Sequence, residues 1–371
     1  MEHLGAYTDL VDAAAKHRGQ RAAVEPGPEL RSTIRDVLGF ATAPAVPTEI
    51  RTERIWTRDG VDGEEVSWSV GYGPRTLAWV LRPSGVGAPL PGVVALHSHD
   101  GVKTYGKEKV ADGPDGTVPE RVIRMRDQCY GGRAYANALA REGFVVVVPD
   151  VFCWSSRRFP LETMPERLRL QGAQSATAAG DGPEEAYERT ARFHEDLVAK
   201  YCSVLGTTLA GVVAYEDRVA VTYLRSRPDV AGDRAGCVGL SGGGCRSALL
   251  QATCDDIGAA VVVGMMSTHA ALLDRLVDNH TWMFFPPGLA KLCDWPDLAA
   301  SRAPSPLLVQ YDREDQIFTL DGMKAADAAI ADQYRRAGRP GAYVGEFYDG
   351  PHKFDLEMQE AAFAWLRTQL T

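Results

Sequence analysis

Gly236-Cys237-Val238-Gly239-Leu240-Ser241-Gly242-Gly243-Gly244 reads as a buried strand running into Gly-x-Ser-x-Gly at Gly239, Ser241 and Gly243. Helix-forming residues, Cys245–Ala252, follow at once. A strand that turns this sharply into a helix has no room for side chains on the flanks of the turn, hence the glycines. The serine at the apex holds its hydroxyl out of the sheet. The helix beginning beside it offers unpaired N–H groups to a developing negative charge. The plainer reading of the same residues is a strand–turn–helix corner with a serine N-cap.

Working outward, four more short apolar runs read as buried parallel strands: Val93–Leu96, Phe144–Pro149, Ala259–Gly264 and Pro306–Tyr311. A further one, Tyr343–Phe347, follows the last helix. Amphipathic segments lie between them at Gly132–Arg141, Ala210–Ser226, Cys245–Ala252 and Asp321–Ala337. Alternation of this kind predicts an α/β fold, a doubly wound, mostly parallel sheet with crossover helices. Upstream, Thr48–Pro83 has strand character, with period-two alternation at Glu64–Val70 and Arg75–Leu81. Residues 1–47 read as a helical N-terminal extension, with helices at Ala6–Ala15 and Leu30–Phe40 closed off by Pro44 and Pro47. Residues 48–371 form the main domain. Within it, 153–209 is an insertion placed where a cap over an active site would sit. Of that insertion, Gly172–Gly182 reads as a mobile loop and Pro183–Leu205 as a helix.

The chain has 371 residues, a formal net charge of −9 and a pI near 5.5. Neither nucleic acid nor an anionic membrane is the expected partner, since both attract a basic face. Met1–Gly5 lacks the basic and apolar regions of a signal peptide, and no apolar run is long enough to span a membrane. A cytoplasmic location is therefore expected. The seven cysteines are scattered without a Cys-x-x-Cys pair and read as reduced thiols, with Cys237 and Cys245 as small buried residues.

A serine hydroxyl needs a base to take its proton. Two strand ends downstream supply candidates. Tyr343–Phe347 runs into Tyr348-Asp349-Gly350-Pro351-His352, and His352 is the only histidine after residue 280. Pro306–Tyr311 runs into Asp312-Arg313-Glu314-Asp315, followed by the apolar pair Ile317-Phe318. Asp312, Glu314, Asp315 and Asp349 are all possible acids. Asp315 is preferred because it lies beyond the strand, just before that anchor, and Asp312 reads as a strand-end turn residue. An oxyanion hole needs two backbone donors. Gly242 is one. The loop His97-Ser98-His99-Asp100-Gly101 supplies the other, His99 first and Asp100 second. Phe152, Trp154, Trp282, Phe284 and Phe285 are candidate walls of a substrate pocket, although aromatic residues are more often core. Arg157 and Arg158 could pair with an acidic substrate, although a structural role is commoner.

These stretches together resemble the α/β-hydrolase superfamily, and within it the acetyl xylan esterase-like and dienelactone hydrolase-like enzymes. Leu96–Gly101 is similar to that group's His-Gly-His-Gly-Gly loop and is followed by Gly106-Lys107-Glu108-Lys109. Gly131–Ala140 leads to Val148-Pro149-Asp150, Arg225–Val230 leads to the serine turn, and Ala303–Val309 precedes the acid. The resemblance spans roughly residues 75 to 370. It implies a cofactor-free Ser-His-Asp hydrolase acting on a small-molecule carboxylic ester, with Ser241, His352 and Asp315 in those roles. Two departures stand out. Ser98 and Asp100 replace loop glycines, and Asp312 stands where the group more often has Gly. Acetyl or xylan specificity is not carried over. The same triad could also cleave an amide or a C–C bond or transfer an acyl group. A metal-dependent reading rests on His97-x-His99-Asp100 with His269 or His280 as added ligands, but the spacing matches the metal motif only in part. The N-terminal helices could cap the site or join subunits in a homo-oligomer.

Overall fold

The computed structural model describes residues 2–18, 25–40 and 43–371. Among these, nine strands form one sheet: β1 (Thr48–Arg58), β2 (Val61–Ser69), β3 (Thr76–Pro83), β4 (Leu90–Leu96), β5 (Val145–Pro149), β6 (Val230–Leu240), β7 (Ile257–Val263), β8 (Leu307–Asp312) and β9 (Tyr343–Tyr348). The spatial order is β1-β2-β3-β5-β4-β6-β7-β8-β9. The first three strands form an antiparallel meander whose last strand pairs antiparallel with β5, and the remaining pairings are all parallel. Every apolar run that alternates with helices in the sequence is one of these parallel strands.

Helices cover both faces, which is why β4 to β8 are apolar almost throughout. In chain order they are α1 (Leu10–Arg18), α2 (Pro28–Leu38), α3 (Glu120–Cys129), α4 (Tyr135–Arg141), α5 (Glu166–Ala179), α6 (Pro183–Val204), α7 (Leu209–Arg225), α8 (Gly242–Thr253), α9 (His269–Leu272), α10 (Leu289–Leu292), α11 (Trp295–Ala300), α12 (Leu320–Arg336) and α13 (Leu356–Leu370). Alternate residues of β7 separate the two cores. Ala260 and Val262 join a cluster with Leu249 of α8 and Leu298 of α11. Ala259, Val261 and Val263 join one with Phe363 and Leu366 of α13.

One expectation is corrected. Gly172–Ala179 lies within α5 and is not a loop. Its small residues serve helix packing, since a Cβ on Gly172 would overlap Thr190 of α6. The helix then ends at Gly180, whose left-handed conformation caps it. The insertion is thus a pair of packed helices, and no single helix among the described residues is long and apolar enough to cross a membrane.

The α2 helix is amphipathic and buries Leu30, Ile34 and Leu38. Its polar face is used as well. Arg31 Nε donates to Ala252 O at 2.9 Å, and Arg35 Nη2 donates to Thr253 O at 2.9 Å. Two cations therefore satisfy the terminal carbonyls of α8, the helix that starts at the serine turn. Ile34 is fully enclosed, so Ile34→Ala should cost ~2–4 kcal/mol. Urea unfolding of the full chain would show this as a lower midpoint.

Candidate active site

Ser241 sits between β6 and α8 with φ 58° and ψ −117°. Its N–H donates to Val263 O at 2.8 Å, and its own carbonyl accepts from Cys245 N at 2.8 Å. That second bond is the first rung of the helical ladder. The N–H groups of Gly242, Gly243 and Gly244 precede it. A Cβ on Gly243 would strike the Leu96 carbonyl, so the close approach of the turn to β4 requires glycine there.

The 97–101 loop lies directly against this turn. A Cβ on Gly242 would come 2.7 Å from His99 N, which places the His99 backbone nitrogen beside the start of α8. The His99 ring has one defined tautomer. Nδ1 accepts from Gly101 N at 2.9 Å, so Nε2 carries the proton and donates to Glu195 Oε2 of α6 at 3.0 Å. Glu195 also binds Lys103 Nζ, Thr281 Oγ1 and the Trp282 N–H. Burial resists its ionisation, but Lys103 and His99 overcome that and hold the carboxyl well below the usual range. Asp100 takes φ 54°. Its carboxylate is turned to Ser98 Oγ and to Lys109 Nζ, 3.3 Å away.

The acid and base meet at the next strand ends. His352 Nδ1 lies 2.6 Å from Asp315 Oδ2, and Asp315 Oδ1 accepts from Ile317 N at 2.8 Å. The Asp315 side chain is 1% exposed. A Cβ on Gly264 would lie 3.2 Å from His352 Cε1, and Gly264 follows the residue whose carbonyl holds Ser241 N. The imidazole therefore stands over the same strand ends as the serine. Burial lowers the affinity of His352 for its proton, but the bond to Asp315 and the charges of Asp315, Asp312 and Asp100 outweigh it, and its pKa is raised above the ordinary value. Among the other acids considered, Asp349 is exposed and pairs with Arg313 at 2.9 Å, and Glu314 is exposed.

Asp312 is no simple turn residue. It is fully buried, and its Oδ2 accepts from Lys353 N at 3.0 Å while its Oδ1 has no partner. Ligand-capable atoms of Asp312, Asp315 and His352 lie within 4.8 Å of one another. Burial pushes the Asp312 carboxyl up to about 7. His97 and His99 do not form the alternative ligand set. Both ring nitrogens of His99 are occupied, and the His97 ring is buried with Nδ1 3.0 Å from Ser98 O. Of the added ligands considered, His269 pairs with Asp294, and His280 Nε2 lies 3.0 Å from Ile317 O.

Two of the candidate pocket walls, Trp154 and Phe284, are buried in the core. Trp154 is 1% exposed and lies beneath the 97–101 loop, its ring 5.1 Å from that of His99. Phe284 stacks on Trp295 at 4.7 Å in the core. Phe152 packs on Phe159 at 5.7 Å, and Phe285 packs on Phe284 at 5.4 Å. Trp282 is 40% exposed, with Nε1 bonded to Asp196 at 2.6 Å. Arg157 is buried against Glu216 and serves the fold, and Arg158 lies over the Tyr187 ring. Sequence reading missed Glu195 altogether, because a glutamate in an amphipathic helix carries no local mark of its partners.

No family model matches the chain. It is similar to YtaP of Bacillus subtilis (strain 168), itself a hydrolase by inference, with 22% identity over 298 residues covering 80% of this chain and 84% of that one. Among solved structures, a glucuronoyl esterase from Solibacter usitatus aligns with TM-score 0.62 and 14% identity, covering 93% of this chain and 92% of that one. A Bacteroides fragilis NCTC 9343 protein provisionally assigned as an acetyl xylan esterase aligns with TM-score 0.62 and 17% identity, covering 86% and 74%. The chain has the α/β-hydrolase fold that these proteins share.

The raised carboxyl of Asp312 has a measurable signature. The folded state holds this proton up to about pH 7, and the unfolded state releases it near pH 4. Its burial therefore costs stability progressively from pH 4 to 7, and fully above 7. Asp312→Asn should gain stability over wild type across that window, on the order of 4 kcal/mol at pH 8 relative to pH 4. Urea titrations at both pH values test this. A pH-independent difference would contradict it.

Proposed function

We propose that this protein is a serine hydrolase that cleaves a carboxylic ester through an acyl-enzyme. The observation that carries the reading is the convergence of Ser241, the Asp315–His352 pair and the His99 backbone nitrogen at neighbouring strand ends. His352 Nε2 takes the Ser241 proton as Oγ attacks the acyl carbon. The carbonyl oxygen becomes an oxyanion bound by the N–H groups of Gly242 and His99. The imidazolium then gives its proton to the departing alkoxide. Water, deprotonated by the same nitrogen, hydrolyses the acyl-serine. Asp315 keeps Nδ1 protonated and Nε2 free for these transfers. The esterase names of the fold's relatives support an ester over an amide or a C–C bond. The α5–α6 pair, fastened to the 97–101 loop through Glu195, serves as one wall over the site.

Ser241→Ala should abolish p-nitrophenyl acetate hydrolysis while circular dichroism stays unchanged, and undiminished turnover would sink the proposal. Asp315→Asn should lower kcat by roughly 10³–10⁴, and Asp312→Asn by less than about tenfold. The base must be neutral, so kcat/KM should rise with an apparent pKa above the ordinary histidine value of about 6.5. Asp315→Asn should shift that limb downward. A panel of acetylated sugars, methyl uronates and matching amides, run on wild type and Ser241→Ala, would identify the bond cleaved.

A further inference from the structure

Lys109 is 0% exposed, and nothing in the chemistry above employs it. Its ammonium has three N–H donors, and three acceptors surround it. Nζ donates to Ser98 O at 2.9 Å and to His99 O at 2.9 Å, and it lies 3.3 Å from Asp100 Oδ2. All three acceptors belong to the loop beside Ser241. Two are consecutive backbone carbonyls, and that decides the orientation of the amides that follow them. In a trans peptide the N–H points opposite to the C=O of the same plane. Drawing the Ser98 carbonyl down onto Lys109 therefore turns the His99 N–H the other way, and drawing the His99 carbonyl down does the same for the Asp100 N–H. The close approach of Gly242 to His99 N shows independently that the far side of the loop faces the serine turn.

We propose that Lys109 is the positioning residue of the oxyanion hole: its ammonium grips the back of the 97–101 loop and aims the His99 amide, with that of Asp100 behind it, at the space beside Ser241. The inference rests on the esterase reading and names what prepares its electrophilic half. It also resolves the conflict posed by a carboxylate at Asp100. That charge is spent on Lys109 and on Ser98 Oγ, and the ammonium beneath the loop opposes its repulsion of an oxyanion. Lys109 is itself held. Arg126 of α3 donates to Lys109 O at 3.1 Å and to the carbonyls of Glu108 and Ala111 at 2.7 Å each. The restraint runs from α3 through 108–111 to the loop.

The test compares wild type, Lys109→Gln and Lys109→Met with p-nitrophenyl acetate and with phenylboronic acid, which forms a tetrahedral adduct on an active serine. Lys109→Met should lower kcat by about 10²–10³, as loss of an oxyanion donor does, with KM within about threefold. The inhibition constant for phenylboronic acid should rise by a similar factor. Lys109→Gln keeps two donors for the carbonyls and should fall between the two, and it carries the test if the methionine variant does not fold. A folded variant with wild-type kcat and boronate affinity would overturn the inference. So would a loss confined to KM. If wild type neither hydrolyses esters nor binds the boronate, the esterase reading fails instead.

Discussion

A serine held at positive φ between a buried strand and a buried helix is the constraint on which this site depends. Such a conformation costs on the order of 1–3 kcal/mol for a residue with a side chain and persists only where its surroundings leave no alternative. Those surroundings are specific. The Ser241 N–H is tied to β7, its carbonyl opens α8, and the helix cannot retreat. Arg246, one turn along α8, forms a buried pair with Asp217 of α7 at 2.6 and 2.9 Å and also reaches His97 O at 3.2 Å. Arg31 and Arg35 of α2 occupy the carbonyls at the other end of the helix. A segment that looked like a peripheral extension thus bears on the strained residue through the helix between them.

Charge around the site is arranged in layers. The chain is acidic overall, and three carboxylates, Asp100, Asp312 and Asp315, lie near His352. An oxyanion formed there would meet a hostile field if nothing opposed them. Lys109, buried beneath the loop, opposes one of them, 3.3 Å from Asp100 Oδ2, whereas Lys103 and Lys107 are paired with acids of their own, Glu195 and Asp150. Burial of Asp312 outweighs the bond from Lys353 N and the charges of His352 and Lys353, and its pKa rises to about 7. At its position a glycine would leave His352 the charges of Asp315 and Asp100. With aspartate present, the proton on Asp312 decides whether a further negative charge faces His352.

The sheet was legible because parallel strands covered on both faces are continuous apolar runs, and the serine, acid and base each stand just past the end of one. The preference for Asp315 over Asp312 also follows from chain geometry. A residue three positions beyond the strand can turn across to His352, whereas Asp312 still belongs to β8. What was not legible depends on contacts far apart in sequence. Glu195 meets His99 across 96 residues and Thr281 across 86. Gly172 reads as loop by composition, yet it is the point where two helices approach too closely for a side chain. Phe284 is a similar case: Phe284 lining a pocket and Phe284 stacked on Trp295 have the same local sequence.

The connection between the insertion and the loop constrains how this site can move. If α6 swung away, the Lys103–Glu195 pair, buried on both sides, would be broken. The same motion would release the Nε2 proton donor of His99 from its acceptor. Lys109 adds a second restraint on the other side of the loop, because its buried ammonium loses two backbone acceptors if the carbonyls leave. The 97–101 loop is therefore pinned from both directions, by Glu195 through a side chain and by Lys109 through the backbone. An enzyme that stabilises negative charge with amide groups gains most when those amides need no rearrangement at the moment the charge appears. Pinning of this kind is the physical form that requirement takes here.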